Sequence, residues 1–202
     1  MSVETKIFIG GVTVQKKLNP LLIATSFTSQ QAKELGVGSE LLAYYVSIGE
    51  ITRLGHGVYR GKEAPEILNF RWEDLIFAMQ KIKGGVICLI SALALYELTE
   101  EIPRQHWIAI PNQTSIRTGS DIRIVRMRNM DLGRTEIQIE GITLQIFDRE
   151  RCIIDSFRFL SKETAIKALK MALSKEIDVE KMLKYGKILR TNIQPFILTA
   201  TT

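Results

Sequence analysis

The side chains most often recruited for catalysis are few here and badly spaced for it. Cys88 and Cys152 stand far apart with no C-x-x-C spacing, and neither His56 nor His106 sits at a ligand-like distance from them in sequence. That arrangement supports neither a disulfide framework nor a zinc site. Glu73-Asp74 and Glu100-Glu101 are adjacent carboxylates, and neighbours on a helix point in different directions, so they read as solvated charge or helix-dipole partners. Asp148 and Asp155 flank a helix start, which suits a cap and a salt bridge. His106, beside Trp107, has no indicated nucleophile or partner acid and reads as a structural histidine. No P-loop, dinucleotide fingerprint, G-x-S-x-G or H-E-x-x-H occurs in the chain. The sequence therefore assigns no catalytic residue, no cofactor site and no metal site.

What remains is the chemistry of contact with phosphates and base edges. Ser39, Tyr44 and Ser47 offer hydrogen bonds, with Ala43 available to a thymine methyl group, while Lys33, Arg53, His56 and Arg60 offer charge for phosphates. His56 serves equally as a solvent-exposed turn residue. A second basic cluster, Arg117, Arg123, Arg126, Arg128 and Arg134, faces only Asp121 and Asp131 between residues 116 and 134. If Asp121 to Arg128 is a strand, Arg126 and Arg128 share the face of Ile122 and Ile124, and Arg123 takes the other. Such a strand suits DNA phosphates, an acidic protein partner, or an edge guarded from aggregation by its own charge.

Positioning these groups falls first to residues 28 to 60. Thr28 and Gln31 have capping-box spacing, which starts a helix at Ser29 with Ala32, Leu35 and Val37 as apolar contacts. Gly36 and Gly38 supply a sharp turn. Ser39 is expected to cap a second helix, whose Leu41, Leu42, Tyr45, Val46 and Ile48 recur at helical intervals and leave Ser39, Glu40, Ala43, Tyr44 and Ser47 largely on the other side. Gly49 ends it. Ile51 to Leu54 and Val58 to Arg60 then form a hairpin about Gly55-His56-Gly57. Helix, turn, helix and basic hairpin in this order are the layout of a winged helix-turn-helix, with the second helix in the major groove and the wing along the backbone. That helix holds no Lys or Arg, so the commonest guanine contact is missing from it.

Around this stretch the chain divides. Ile7 to Val14 is apolar but broken by Gly10-Gly11, and reads as either strand or leader. Asn19-Pro20 starts a short helix through Ala24. Polar residues 61 to 65 end in a proline, so a winged domain is expected at residues 1–62 and a second domain at 63–202. Residues 1–62 hold seven Lys or Arg against four Asp or Glu, while the remainder, twenty against eighteen, is nearly balanced. The net charge of +5 is thus concentrated in the smaller part, which favours an anionic partner there.

The second part opens with a helix carrying Trp72, Leu75, Ile76, Met79 and Ile82. Gly84-Gly85, expected as a helix-to-helix turn, precedes an apolar helix over Ser91 to Leu98. The period then changes to two over Trp107–Pro111, Asp121–Met127, Thr135–Ile139 and Ile142–Phe147, with a tight hairpin at Glu140-Gly141. Helices return after Asp148. The fold class expected is α+β, a winged helix-turn-helix followed by an α+β domain with a mainly antiparallel sheet and closing helices. The run from Gly84 to Leu98 falls short of a membrane span and the first residues lack a signal peptide, so a cytoplasmic protein with no membrane partner is expected.

Three blocks carry a family likeness: AKELGVGSELLAYYVSIGEITRLGHGVYRG, SALALYELTEEIPRQHWIAIP at residues 91–111, and EGITLQIFDRERCIIDSFRF at residues 140–159. Together they resemble the AbiEi-type antitoxins, transcriptional regulators of bacterial abortive-infection systems. The resemblance implies a non-enzymatic protein whose first domain binds an inverted repeat upstream of its own operon and whose second domain counteracts a nucleotidyltransferase-like toxin, without requiring a stable complex with it. It carries DNA contact to Ser39, Tyr44, Ser47, Arg53 and Arg60. The neutral helix departs from relatives in which basic residues are common, which puts more weight on Arg123, Arg126 and Arg128. One small winged domain makes few phosphate contacts, so cooperative binding of two copies to double-stranded DNA is expected. A ligand-responsive winged-helix regulator with a metabolite-binding second domain is the alternative. An enzyme fused to a DNA-binding module is a third reading, which would need a carboxylate cluster the sequence does not offer.

Overall fold

The computed structural model describes residues 20–55, 57–64, 70–116 and 118–201. The apolar patch Ile7 to Val14, the Asn19 cap, His56, Pro65 and Arg117 lie outside them. Chain contacts separate two units, Met1–Glu73 and Asp74–Thr202.

In the first unit a helical turn at residues 20–22 precedes strand β1 (Phe27–Thr28), helix α1 (Ser29–Glu34), helix α2 (Ser39–Ser47), and the strands β2 (Ile51–Gly55) and β3 (Val58–Gly61). The three strands pair antiparallel in the order β1-β3-β2, with an irregularity between Arg53 and Gly55. Thr28 caps α1 as its spacing predicts: its Oγ1 accepts from the Gln31 amide at 3.2 Å, and Gln31 Oε1 accepts from the Thr28 amide at 2.7 Å. Two expectations for the turn are corrected. Gly36 alone takes the left-handed backbone, at φ +81. Gly38, extended at φ −77, stands at the cap of α2 in place of Ser39, and no side chain closes that end. Ser39 is displaced because it already belongs to the first turn.

Leu21, Phe27, Ala32, Val37, Leu42 and Ile51 form the core of this unit. Each element thus contributes one or two apolar anchors to a small centre. Gly61 closes it: a Cβ there would collide with the carbonyls of Leu21 and Leu22, and its amide bonds Ala24 O at 3.1 Å. The strand β1, unforeseen in the sequence, is only two residues long and is held by its register against Tyr59 and Val58.

Helix α3 (Phe70–Lys81) carries the division between the units. Its Trp72, Leu75, Ile76, Met79 and Ile82 stripe is buried as the periodicity predicts. The second unit continues through β4 (Val86–Ile87), α4 (Leu89–Leu95), β5 (His106–Pro111), β6 (Ile122–Met127), β7 (Arg134–Ile139), β8 (Ile142–Phe147), α5 (Arg149–Phe159), α6 (Lys162–Leu173), α7 (Val179–Ile188) and α8 (Gln194–Thr201).

The α+β class holds, and the sheet corrects the expected antiparallel pairing. Its order is β6-β5-β4-β8-β7; β4-β5 and β7-β8 are antiparallel, but β4-β8 and β5-β6 are parallel. Gly84-Gly85 therefore leads into the central strand rather than joining two helices. With two fully buried residues, β4 is too short to display a period and merges with the apolar run around it. The β5-β6 connection holds no helix among the described residues, so nothing in it marks the crossover that a parallel pair requires. Leu89, fully buried, starts α4 with φ +48, a strained conformation for a branched side chain that the surrounding packing holds in place.

Candidate nucleic-acid interface

Helix α2 divides into the two faces its sequence predicts, except that Ile48, expected on the inner one, lies at the cap beyond the helix and is exposed. Leu42 is 1% exposed and Leu41, Tyr45 and Val46 are half-buried, while Ser39, Glu40, Ala43, Tyr44 and Ser47 are open to solvent. Tyr44 stands 40% exposed, its ring meeting that of Tyr45 edge-on with centroids 5.5 Å apart. Burial raises the Tyr45 phenol, with Tyr44 and Glu50 adding to the effect, so it stays neutral. Ser47 Oγ donates to the Tyr44 carbonyl at 2.6 Å, leaving its lone pairs to accept from an outside donor. The open face thus presents hydroxyls and a phenol on a rigid helix. Glu40, in the first turn, complements the helix dipole and repels phosphate from that end.

The cations described in this unit sit on the elements before and after α2 in the chain. Lys33 is exposed in the last turn of α1. Arg53 is exposed on β2 and folds back so that Nε donates to Gly55 O at 3.3 Å, across the irregularity in the strand. Arg60, on β3, lies 3.6 Å from Glu73 and is half-buried. Its charge is therefore partly committed inside the unit, whereas those of Lys33 and Arg53 face water. Lys62 bridges Glu50 at 3.2 Å, tying the end of the hairpin to the residue just ahead of β2.

The remaining arginines of interest belong to the second unit. Arg123 and Arg126 lie on β6, Arg128 just beyond it, and all three are exposed. Strand β6 is an edge of the sheet. Arg123 lies over the Trp107 ring with its guanidinium carbon 4.1 Å from the centroid, and the register that pairs these two residues explains the stack.

One charged centre escaped the sequence reading. Arg151, in the first turns of α5, is fully buried. Its Nε donates to Asp155 Oδ2 at 2.7 Å, and Nη1 donates to the carbonyls of Asn129 and Leu132 at 3.0 and 2.7 Å. The guanidinium also lies over Phe147, 4.4 Å from the centroid. Arg158 donates to the other Asp155 oxygen at 2.6 Å. The four-residue spacing of Arg151 and Asp155 around Cys152, Ile153 and Ile154 was the available signal. Alongside, Asp148 caps α5 through the Arg151 amide and accepts from Tyr185 Oη and Lys181 Nζ, both at 3.0 Å. Asp148 and Asp155 thus act as cap and salt-bridge partner. Every polar group in this centre has a partner, so it fixes the loop before β7 rather than presenting free chemistry.

Burial pushes the Cys88 and Cys152 thiols well up, which keeps both protonated and unreactive. Burial lowers His106, whose Nδ1 is enclosed without a hydrogen-bond partner. Among the described residues no group of three or more His, Cys, Asp or Glu is placed to hold a metal ion, and no helix is long and apolar enough to cross a membrane.

Residues 20–60 match the family described as "Transcriptional regulator, AbiEi antitoxin", the stretch that contains α1, α2 and the hairpin. No curated protein sequence matches the chain. Among solved structures, the crystal structure of the RV2827C protein from Mycobacterium tuberculosis is similar in fold, with a TM-score of 0.54 at 14% identity over 81% of this chain and 67% of that one.

Proposed function

We propose that this chain is a DNA-binding transcriptional regulator and antitoxin of the AbiEi kind. The observation that carries the reading is the family match over residues 20–60, which coincides with an open polar helix face flanked by a hairpin. In this reading the first unit is a winged helix-turn-helix. Helix α2 enters the major groove, with Ser39, Tyr44 and Ser47 reading base edges and Ala43 touching a thymine methyl. Arg53 on the hairpin and Lys33 on α1 hold phosphates, and Arg60 and His56 stand with them on the wing. A helix without Lys or Arg discriminates weakly, so two copies bind an inverted repeat cooperatively upstream of the operon and repress it. The remainder of the chain counteracts a nucleotidyltransferase-like toxin.

The test is a fluorescence titration of the full chain against its own upstream duplex and a scrambled duplex at several salt concentrations. The reading expects selective binding whose logarithmic salt slope falls by about 1 in Arg53→Ala, as one phosphate contact is lost. Tyr44→Ala is expected to cost roughly 1–3 kcal/mol on the operator alone, because a base contact carries discrimination. Equal weak binding to both duplexes, unchanged by either substitution, overturns the assignment.

A further inference from the structure

The outer edge of β6 carries main-chain groups that a DNA reading of its arginines does not use. In a parallel pair, alternate residues of a strand direct both peptide groups to the same neighbour. Asp121 O accepts from the His106 amide at 2.7 Å and Met127 O accepts from the Asn112 amide at 3.1 Å, so the odd-numbered residues face β5. Ile122, Ile124 and Arg126 therefore turn their peptide groups outward. The Ile122 amide is used by the Gly119 carbonyl at 3.3 Å. Those of Ile124 and Arg126 have no hydrogen bond among the described residues, and Ile122, Ile124 and Val125 remain half-buried along the strand.

The charges beside this edge stand on both faces of the sheet. Arg123 is on the Trp107 face and Arg126 on the opposite one, with Arg128 following the strand. None of the three has an ion-pair partner among the described residues. A duplex presents its phosphates to one surface at a time, and cations split between two faces of a sheet are poorly arranged for it. An added strand, by contrast, sends its side chains alternately to both faces. Two carboxylates three residues apart on such a strand would meet Arg123 and Arg126, which are separated along β6 by about 10 Å. A second copy of this edge is a poor occupant, because like arginines would face each other across the pair.

We propose that the free edge of β6 binds an extended acidic segment of a partner protein by strand addition, with Ile124 and Arg126 supplying main-chain hydrogen bonds and Arg123 and Arg126 gripping carboxylates on the two faces. The surface is independent of α2 and the hairpin. It stands or falls whether or not the first unit binds DNA.

The probe is a fluorescent eight-residue peptide of valine and threonine with two glutamates three positions apart, titrated against the full chain. A lysine version and a random-sequence duplex are the comparisons. The glutamate peptide is expected to bind roughly tenfold or more tightly than the lysine version, and the double variant R123E/R126E to reverse that preference. Binding should slow hydrogen exchange at the Ile124 and Arg126 amides of the unmodified chain. Ile124→Pro removes the outward amide, which an edge strand tolerates, and should weaken the peptide more than Ile124→Ala, which loses the same half-buried side chain but keeps the amide, with all arginines in place. Peptide binding with unchanged exchange at both amides means attraction by charge alone and overturns strand addition. No peptide binding, or a duplex whose affinity falls in R123E/R126E while the peptide does not bind, overturns the proposal in favour of a guard against aggregation or a DNA contact.

Discussion

The outer face of α2 and the Arg151 centre handle polar groups in opposite ways. On α2, Ser39, Tyr44 and Ser47 are exposed and make almost no tertiary bond, so nothing in the fold depends on them. Around Arg151 the donors and acceptors are matched, and Arg151 and Asp155 are buried from solvent. A charged group saturated by its own chain specifies structure, while a polar group held in the open on a helix is available to a partner.

The strongest attempt to break this contrast is Arg151→Met. It leaves the Asn129 and Leu132 carbonyls without a donor and Asp155 with Arg158 alone, and should cost about 3–5 kcal/mol by urea unfolding. A neutral outcome would mean that the centre is not what fixes the loop. Leu42→Ala tests the inner face of α2 and is expected to cost about 2–5 kcal/mol through the cavity it leaves. Thr28→Ala removes the box that starts α1, at about 1 kcal/mol. Tyr44→Ala sharpens the contrast from the other side: its unfolding midpoint should stay nearly unchanged while operator affinity falls.

The smallest effect concerns pH. His106 has its folded pKa pushed below the ordinary 6.5 by burial, with Asp74 and Asp121 acting against that. The unfolded chain then binds more protons in the window between the lowered value and 6.5. Stability should therefore be fully present above 6.5 and decline as pH falls through that window, with His106→Gln flattening the curve in thermal melts.

The legibility of the sequence follows the range of the interactions. The capping box of Thr28 and Gln31 and the helical stripe of Trp72 to Ile82 are set within a turn or two of their own residues, and both were visible. The strands β5 to β8 announced themselves by alternation. The β7-β8 pair was legible too, from the Glu140-Gly141 turn, but the pairing of β4 with β8 was not, because Ile87 meets Ile146 far along the chain and nothing local encodes that choice. Gly38 displaced Ser39 from the cap because a glycine has no side chain to advertise the role. Arg151 looked like any helical arginine, since burial of a long cation is decided by the carbonyls that surround it. For the interface, the face of α2 was readable from spacing alone. The commitment of Arg60 to Glu73 was not, as the two lie on different elements.

The two-residue strand β4 has a kinetic consequence. It joins two local pairs, β5-β6 and β7-β8, into one sheet through little more than Val86 and Ile87. Each pair closes over a short segment, whereas β4 must find β8 after a long loop has been confined. The seam should therefore form last. Ile87→Ala would then speed unfolding more than it slows folding, since a contact absent from the transition state acts on the native side of the barrier.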